Sequence, residues 1–305
     1  MLIYLPIAEL PVNALVMLAM GGAVGFLSGM FGVGGGFLLT PLLIFAGVPS
    51  AVAVATGANP LIASSITGTI AQYRRKNVDI KLGLYLLAGG AAGAFVGVKI
   101  VKYLRQTGQI DLTVSLLYVV FMGIVGGLML VESLRAIRKQ RKGKPTPMRR
   151  AAQHNWIHKL PFKTRFPTSK LYISAIPAIV LGVVVGLLSG VMGVGGGFIV
   201  VPMLIYFLRV PTNVAIGTSL FQIIFVSAIT TLFQAVWNHT VDMALALLLM
   251  TGGVIGAQGG AVAGQRLRAE QLRFLLAILV LAVGLRLGIG LFAPSDLYSL
   301  TRAEA

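Results

Sequence analysis

The chain has 305 residues, of which 57% are hydrophobic and only 11% are charged. A soluble domain carries about 25% charged residues, so this composition excludes a globular protein covered by water and predicts one embedded in a membrane. The formal net charge of +17 would suggest a nucleic-acid partner in a soluble protein. Here Lys and Arg separate apolar runs, so we assign the charge to orientation in the lipid bilayer and predict no nucleic-acid binding.

Eight apolar runs have the length of about 20 residues with which a helix crosses a bilayer. They cover residues 12–31, 51–72, 82–101, 112–131, 171–192, 213–236, 243–263 and 272–292. Two shorter runs, 37–47 and 198–208, follow clusters of glycine and are predicted to be half-helices or re-entrant segments. We therefore expect an all-α polytopic membrane protein.

The order of these runs occurs twice. The glycine-rich segment from Gly25 to Phe37 aligns with the segment from Gly186 to Phe198. Residues that follow match in the same order, namely Pro41 with Pro202, Thr56 with Thr218, Gln72 with Gln234 and Asp79 with Asp242. We divide the chain into an N-terminal transmembrane repeat, a basic linker and a C-terminal transmembrane repeat, at 1–131, 132–170 and 171–305. Each repeat is expected to hold a helix hairpin broken by glycine and three full spans.

Basic residues orient the repeats. The linker is rich in Lys and Arg and holds a single acid, Glu132. Because cytoplasmic loops carry an excess of Lys and Arg, the linker is predicted to be cytoplasmic and both termini external. Counting spans outward from the linker then gives the repeats opposite topologies. One short loop departs from the rule, because it holds Lys102 and Arg105 and is placed outside.

The sequence Gly-Val-Gly-Gly-Gly, at 32–36 and 193–197, is the strongest functional signal. Glycine at this density breaks a helix. The short helix that follows begins with N–H groups that have no partner in the helix and with the positive end of the helix dipole. Such an end attracts an anion without a basic side chain. In inverted repeats these loops meet near the midplane, where transporters bind substrate; the alternative is a tight hairpin that only saves space.

Polar residues beside these loops complete the predicted site. Thr56, Asn59, Thr218 and Ser219 begin spans next to the hairpins, and neutral donors suit an oxyanion that must be released again. For most other polar residues in the spans, hydrogen bonds between helices are the simpler explanation. The predicted substrate-binding residues are Gly34, Gly35, Gly36, Phe37, Thr56, Asn59, Gly195, Gly196, Gly197, Phe198, Thr218 and Ser219.

Other residues receive structural interpretations. Glycines at intervals of four predict close helix packing, namely Gly89, Gly93 and Gly97 in one repeat and Gly252, Gly256, Gly260 and Gly264 in the other. Asp79 and Asp242 stand at the starts of spans and are predicted to cap helices, with a proton or cation role as the alternative. Arg286, inside the last span, is expected to snorkel towards the membrane surface.

The sequence does not favour an enzyme. The spans hold no carboxylate pair for acid and base chemistry. His154 and His158 have the spacing of a helical metal site, but Asn155 stands where a zinc protease has Glu. We predict no catalytic residue, no metal site and no cofactor.

The doubled glycine motif, with Pro41, Pro202 and Gly217-Thr218-Ser219, resembles the TauE/SafE family, the sulfite exporter or toluene sulfonate uptake permease group. The resemblance covers both halves but not the linker. It implies transport of small sulfur-containing anions such as sulfite or sulfonates across a bacterial inner membrane.

We therefore expect a secondary transporter that binds its anion near the midplane. No ATP-binding motif is present, so gradients would drive transport, with coupling to protons as one option. A passive anion channel is the alternative, followed by a membrane enzyme.

Overall fold

The computed structural model describes residues 2–31, 35–141, 163–169, 171–264 and 269–292. The first half contains the helices α1 (Ala14–Phe31), α2 (Gly36–Phe45), α3 (Ser50–Gly57), α4 (Asn59–Arg74), α5 (Ile80–Gln106) and α6 (Ile110–Arg141). The second half contains α7 (Ile176–Met192), α8 (Gly197–Tyr206), α9 (Thr212–Phe233), α10 (Met243–Gly264) and α11 (Ala269–Phe292). A π-helical turn, Gln234–Asn238, continues α9.

Helices long and apolar enough to cross a membrane account for much of the described chain. They are Ile80–Gln106, Ile110–Arg135, Thr212–Asn238, Met243–Gly260 and Phe274–Leu291. Shorter apolar helices are Ala14–Met30, Gly36–Phe45, Ile176–Met192 and Gly197–Tyr206. The predicted class, an all-α polytopic membrane protein, is confirmed.

A short antiparallel hairpin precedes the first helix of each half. Strand β1 (Leu2–Leu5) pairs with β2 (Leu10–Asn13), and β3 (Lys163–Phe166) pairs with β4 (Leu171–Ser174). The predicted spans starting at residues 12 and 171 are therefore wrong at their beginnings, because α1 starts at Ala14 and α7 at Ile176. Short apolar runs do not distinguish strand from helix by composition, and here the hydrogen bonds of the hairpin decide.

Two further spans differ from the prediction. The run 51–72 is not one helix, because α3 ends and α4 begins around Ala58. Pro60 lies in the first turn of α4, where its missing N–H costs no helical hydrogen bond. At the end of the first half, α6 continues beyond the predicted end at residue 131 as far as Arg141.

The two halves pack against each other through matching helices. Helix α1 packs along α10, and α7, the counterpart of α1, packs along α5, the counterpart of α10. The last helices of the halves, α6 and α11, also pack together, as do α4 and α9. The backbones are so close that a Cβ on Gly25 would overlap the carbonyl of Gly253, and one on Gly93 would overlap the carbonyl of Val183. The glycine spacing therefore has the packing role that the sequence predicts.

Candidate functional site

The two glycine segments meet in the interior. Helix α2 begins at Gly36 and α8 at Gly197, and no side chain caps either N-terminus. The next residue of each helix is a buried phenylalanine, and the rings of Phe37 and Phe198 stack with their centroids 4.2 Å apart and their planes 16° apart. The positive ends of two helix dipoles thus lie close together in an apolar environment. Gly34 of the predicted site lies outside the described residues.

One side chain contacts both glycine segments. A Cβ on Gly36 would overlap Leu61 Cδ1 and would lie 2.8 Å from the carbonyl oxygen of Val194. A Cβ on Gly195 would overlap the same methyl group of Leu61. Gly35, Gly36, Gly195 and Gly196, with Leu61 from α4 and Ser227 from α9, are called the glycine junction below. Its close contacts leave no room for a larger residue at Gly36 or Gly195 unless Leu61 moves.

The second segment also needs glycine for its backbone conformation. Gly193, Gly195 and Gly196 have φ angles of +70°, +68° and +79°, in the left-handed region that only glycine adopts at little cost. Gly35, the counterpart of Gly196, has a φ of −75°. The two segments therefore differ in conformation at this position although their sequences match.

A buried hydroxyl group lies beside the second segment. The Oγ atom of Ser227 would lie 2.9 Å from a Cβ on Gly195, and Ser227 is fully buried. Among the described residues it has no hydrogen-bond partner, and neither has its counterpart Ser65 on α4. A buried hydroxyl without a partner is unfavourable by about 1–3 kcal/mol, so Ser227 is available to a ligand at the junction. Ser65 and Ser227 are not among the site residues predicted from the sequence, although their matching positions in the repeat were a usable signal.

A small cavity adjoins the first glycine segment. It is lined by Gly35, by Val24 and Ser28 of α1, and by Leu61 and Ser64 of α4, among others. Its volume of about 20 Å³ suits about one water molecule. This cavity therefore has space for solvent but not for a polyatomic anion.

The four predicted polar site residues make hydrogen bonds within the protein. The hydroxyl oxygen of Thr56 accepts the backbone N–H of Asp242 at 3.1 Å, and that of Thr218 accepts the N–H of Asp79 at 3.0 Å. The amide of Asn59 donates to the carbonyl of Thr56 at 3.3 Å. The hydroxyl of Ser219 donates within its own helix. The bonds of Thr56 and Thr218 join the two halves of the chain, those of Asn59 and Ser219 are local, and a role of all four residues in substrate binding stays a prediction.

Asp79 and Asp242 cap α5 and α10, as predicted. Their Oδ1 atoms accept the N–H groups of Leu82 and Leu245, each at 3.1 Å. Their Oδ2 atoms bind the turns of the hairpins: Asp242 accepts the N–H of Ile7 at 3.1 Å, and Asp79 accepts the N–H and the hydroxyl of Ser169 at 2.9 and 2.8 Å. Each hairpin is thus attached to the other half of the chain.

Three cations near the ends of the spans have local partners. Arg286 is exposed and lies 5.5 Å from the ring of Phe45, and the ammonium group of Lys99 lies 4.4 Å from the ring of Phe95. Arg105, which the charge rule does not explain, lies in the last turn of α5 and donates to the carbonyl of Asn238 at 2.7 Å. A cation at the C-terminal end of a helix interacts favourably with the helix dipole. Arg105 therefore stabilises the C-terminal end of α5.

The described residues contain no group of three His, Cys, Asp or Glu side chains that could hold a metal ion. His154 and His158 lie outside them.

Comparisons with known proteins identify the family. The family model described as "Sulfite exporter TauE/SafE" matches residues 17–287. A "Probable membrane transporter protein" of Xylella fastidiosa (strain 9a5c) is 32% identical over 277 residues, covering 90% of this chain and 94% of that protein. The "Probable membrane transporter protein YunE" of Bacillus subtilis (strain 168) is 26% identical, covering 89% of this chain and 96% of that protein.

A plant relative matches only in part. "Sulfite exporter TauE/SafE family protein 3" of Arabidopsis thaliana is 30% identical over 133 residues, covering 42% of this chain and 28% of that protein. No solved structure matches the chain significantly. With its membrane-length helices and its match to the family model over most of its length, the chain belongs to the TauE/SafE family and is a multi-pass membrane transporter.

Proposed function

We propose that the protein is a secondary transporter of small sulfur-containing or organic oxyanions, such as sulfite or sulfonates, and that it binds them at the glycine junction. The observation that carries this proposal is the stacking of Phe37 on Phe198, since it brings two uncapped helix N-termini together. The substrate class comes from the description of the family and is in keeping with the name of the Arabidopsis relative.

The chemistry of the junction suits reversible binding of an anion. Backbone N–H groups at the starts of α2 and α8 have no partner within their helices, and the dipoles add positive potential. The hydroxyl of Ser227 supplies a further donor. Each neutral hydrogen bond contributes about 0.5–1.5 kcal/mol net, so several together hold an oxyanion without the strong attraction of a buried cation.

The directions of the packed helices support an inverted repeat. A Cβ on Gly83 would lie 2.6 Å from Phe221 and one on Gly90 would lie 2.7 Å from Val226. Residue numbers therefore increase in the same direction along both helices, so α5 runs parallel to α9. Helix α9 is joined to α10 by a short connection, which makes those two antiparallel. The counterparts α5 and α10 therefore run in opposite directions. This arrangement is typical of transporters that alternate access around a central site.

The proposal includes the orientation of the protein in the membrane and the force that drives the anion across it. The linker faces the cytoplasm and both termini lie outside a bacterial inner membrane, in accordance with the excess of Lys and Arg in the linker. A membrane potential that is negative inside favours anion exit by about 2.3 kcal/mol per charge per 100 mV.

Leu61 and the phenylalanine pair fill the junction, which favours a carrier that must change conformation over an open channel. Coupling to protons is tested by imposing a pH gradient across liposomes.

The direct test is flux into proteoliposomes, with sulfite, methanesulfonate and acetate compared. Gly195→Ala should lose transport, because its Cβ overlaps Leu61 and its φ is strained. Gly123→Ala is the matched control, because a Cβ there meets nothing within 4 Å. Ser227→Ala, which removes one donor and little volume, should raise the KM for sulfite. Normal flux in Gly195→Ala, at normal insertion, would refute binding at the junction.

A further inference from the structure

A polar face runs along the C-terminal half of α9 and its π-helical turn. Its members are buried and lie three or four positions apart, on one side of the helix, namely Ser227, Thr230, Gln234 and Asn238. Helix α9 and its π-helical turn form one apolar span, Thr212–Asn238. At about 1.5 Å per residue, the polar face is roughly 16 Å long, which is about half the thickness of the hydrocarbon core. It therefore extends inside the protein from the middle of the span to one end.

Hydrogen bonds between helices explain only part of this polarity. Amide nitrogens of the face donate to carbonyls of α5 and α7: Gln234 to Gly190 at 3.2 Å and Asn238 to Val98 at 3.5 Å. The remaining oxygen atoms behave differently. Those without a hydrogen-bond partner in the described part of the chain are Ser227 Oγ, Thr230 Oγ1 and Asn238 Oδ1. Buried oxygens of this kind gain partners only when water or a ligand reaches them.

The matching helix of the first half does not keep all of these residues. In α4, the counterpart of Thr230 is Gly68. The corresponding face of α4 is thus interrupted at this position although α4 and α9 pack against each other. Helix packing alone therefore leaves the continuous polar face of α9 unexplained.

The two ends of the face have distinct chemistry. Ser227 lies at its N-terminal end, beside Gly195 of the glycine junction. At the C-terminal end, the carbonyl of Asn238 fixes the exposed guanidinium of Arg105. The π-helical turn lies at this end, and such turns are frequent at functional sites.

We propose that the polar face of α9 is the path of the anion between the glycine junction and the membrane surface near Arg105. Hydroxyl and amide groups along the face replace the water around the anion one step at a time, and Arg105 attracts anions to the mouth of the path. The nature of the anion and its central site rest on the proposed function; the course of the path rests on the unpaired oxygens of α9.

Cysteine accessibility tests the path, and the chain offers a clean background because it has no cysteine. We compare Thr230→Cys with two controls on the same helix. Leu232→Cys lies on the outer surface, where Leu232 is 59% exposed, and Val226→Cys replaces an apolar residue that is as buried as Thr230. Full-length variants that transport are treated with the anionic sulfonatoethyl and the cationic trimethylammonioethyl methanethiosulfonates, each added to both sides of the membrane.

Thr230→Cys should react with the anionic reagent at least about tenfold faster than with the cationic one. Arg105→Gln in the same background should reduce this preference, and neither control should react at a comparable rate. The proposal is overturned if Thr230→Cys stays unmodified in a transporting protein, if both reagents modify it equally, or if Val226→Cys reacts as fast.

The same variants separate this proposal from the proposed function. If Gly195→Ala transports normally while Thr230→Cys reacts selectively with the anionic reagent, the path stands and binding at the glycine junction is wrong. If Gly195→Ala loses flux while Thr230→Cys does not react, the junction stands and the path is wrong.

Discussion

The backbone N–H of Asp242 donates to the hydroxyl oxygen of Thr56 at 3.1 Å, across 186 positions of the sequence. The counterpart residues Asp79 and Thr218 make the same bond at 3.0 Å across 139 positions. In each pair, the threonine of one repeat accepts a hydrogen bond from the backbone N–H of the aspartate that caps a helix of the other repeat. The two repeats therefore stabilise each other through matched buried hydrogen bonds.

Thr56→Val and Thr218→Val should each destabilise the protein by about 1–3 kcal/mol, because valine keeps the volume and leaves a buried N–H without an acceptor. The expected result is a lower Tm in detergent for both variants. Thr67→Val is the matched control, since Thr67 is exposed and its hydroxyl donates within α4. Equal Tm values for Thr56→Val and Thr67→Val would show that the bonds across the repeats do not contribute.

Asp79→Asn and Asp242→Asn should loosen different hairpins. Asparagine can still cap a helix, but its side-chain nitrogen cannot accept the bonds that Oδ2 accepts from Ser169 or Ile7. Hydrogen exchange should therefore speed up in residues 163–169 for Asp79→Asn and in residues 2–13 for Asp242→Asn. Each variant serves as the control for the other, and identical exchange changes in both hairpins would contradict the assignment.

Leu61→Ala should change which anions are transported. Leu61 contacts Gly36 and Gly195, so shortening it opens space within the glycine junction. We expect the flux of a bulkier sulfonate to rise relative to that of sulfite, together with a stability loss of about 2–5 kcal/mol for a truncated buried leucine. Leu43→Ala, which truncates another fully buried leucine, should cost similar stability without changing the flux ratio.

Gly93→Ala should impair assembly of the protein, because its Cβ would overlap the carbonyl of Val183 in α7. Gly127→Ala on α6 should insert and transport normally, because a Cβ there meets nothing within 4 Å. The yield of monodisperse protein after solubilisation measures the difference. Equal yields would contradict the close packing of α5 and α7.

The sequence predicts features that depend on local patterns. Both short helices and their glycine starts follow from glycine density, and the caps at Asp79 and Asp242 follow from residues at the starts of apolar runs. The pairing of β1 with β2 and of β3 with β4 was not predicted, because short apolar runs do not distinguish strand from helix by composition. The availability of Ser227 could not be predicted either, since whether a hydroxyl has a partner depends on the helices packed around it.

The central claim is that an oxyanion binds at the glycine junction, and anomalous scattering from selenite, a heavier analogue of sulfite, tests it most directly. In a crystal of the full-length protein grown with selenite, we predict a selenium peak at the glycine junction, placed so that the selenite oxygens accept hydrogen bonds from the Ser227 hydroxyl and the backbone N–H groups that begin α8. Ser227→Ala should weaken that peak. A peak at the guanidinium of Arg286, with the glycine junction unoccupied at saturating selenite, would contradict the account.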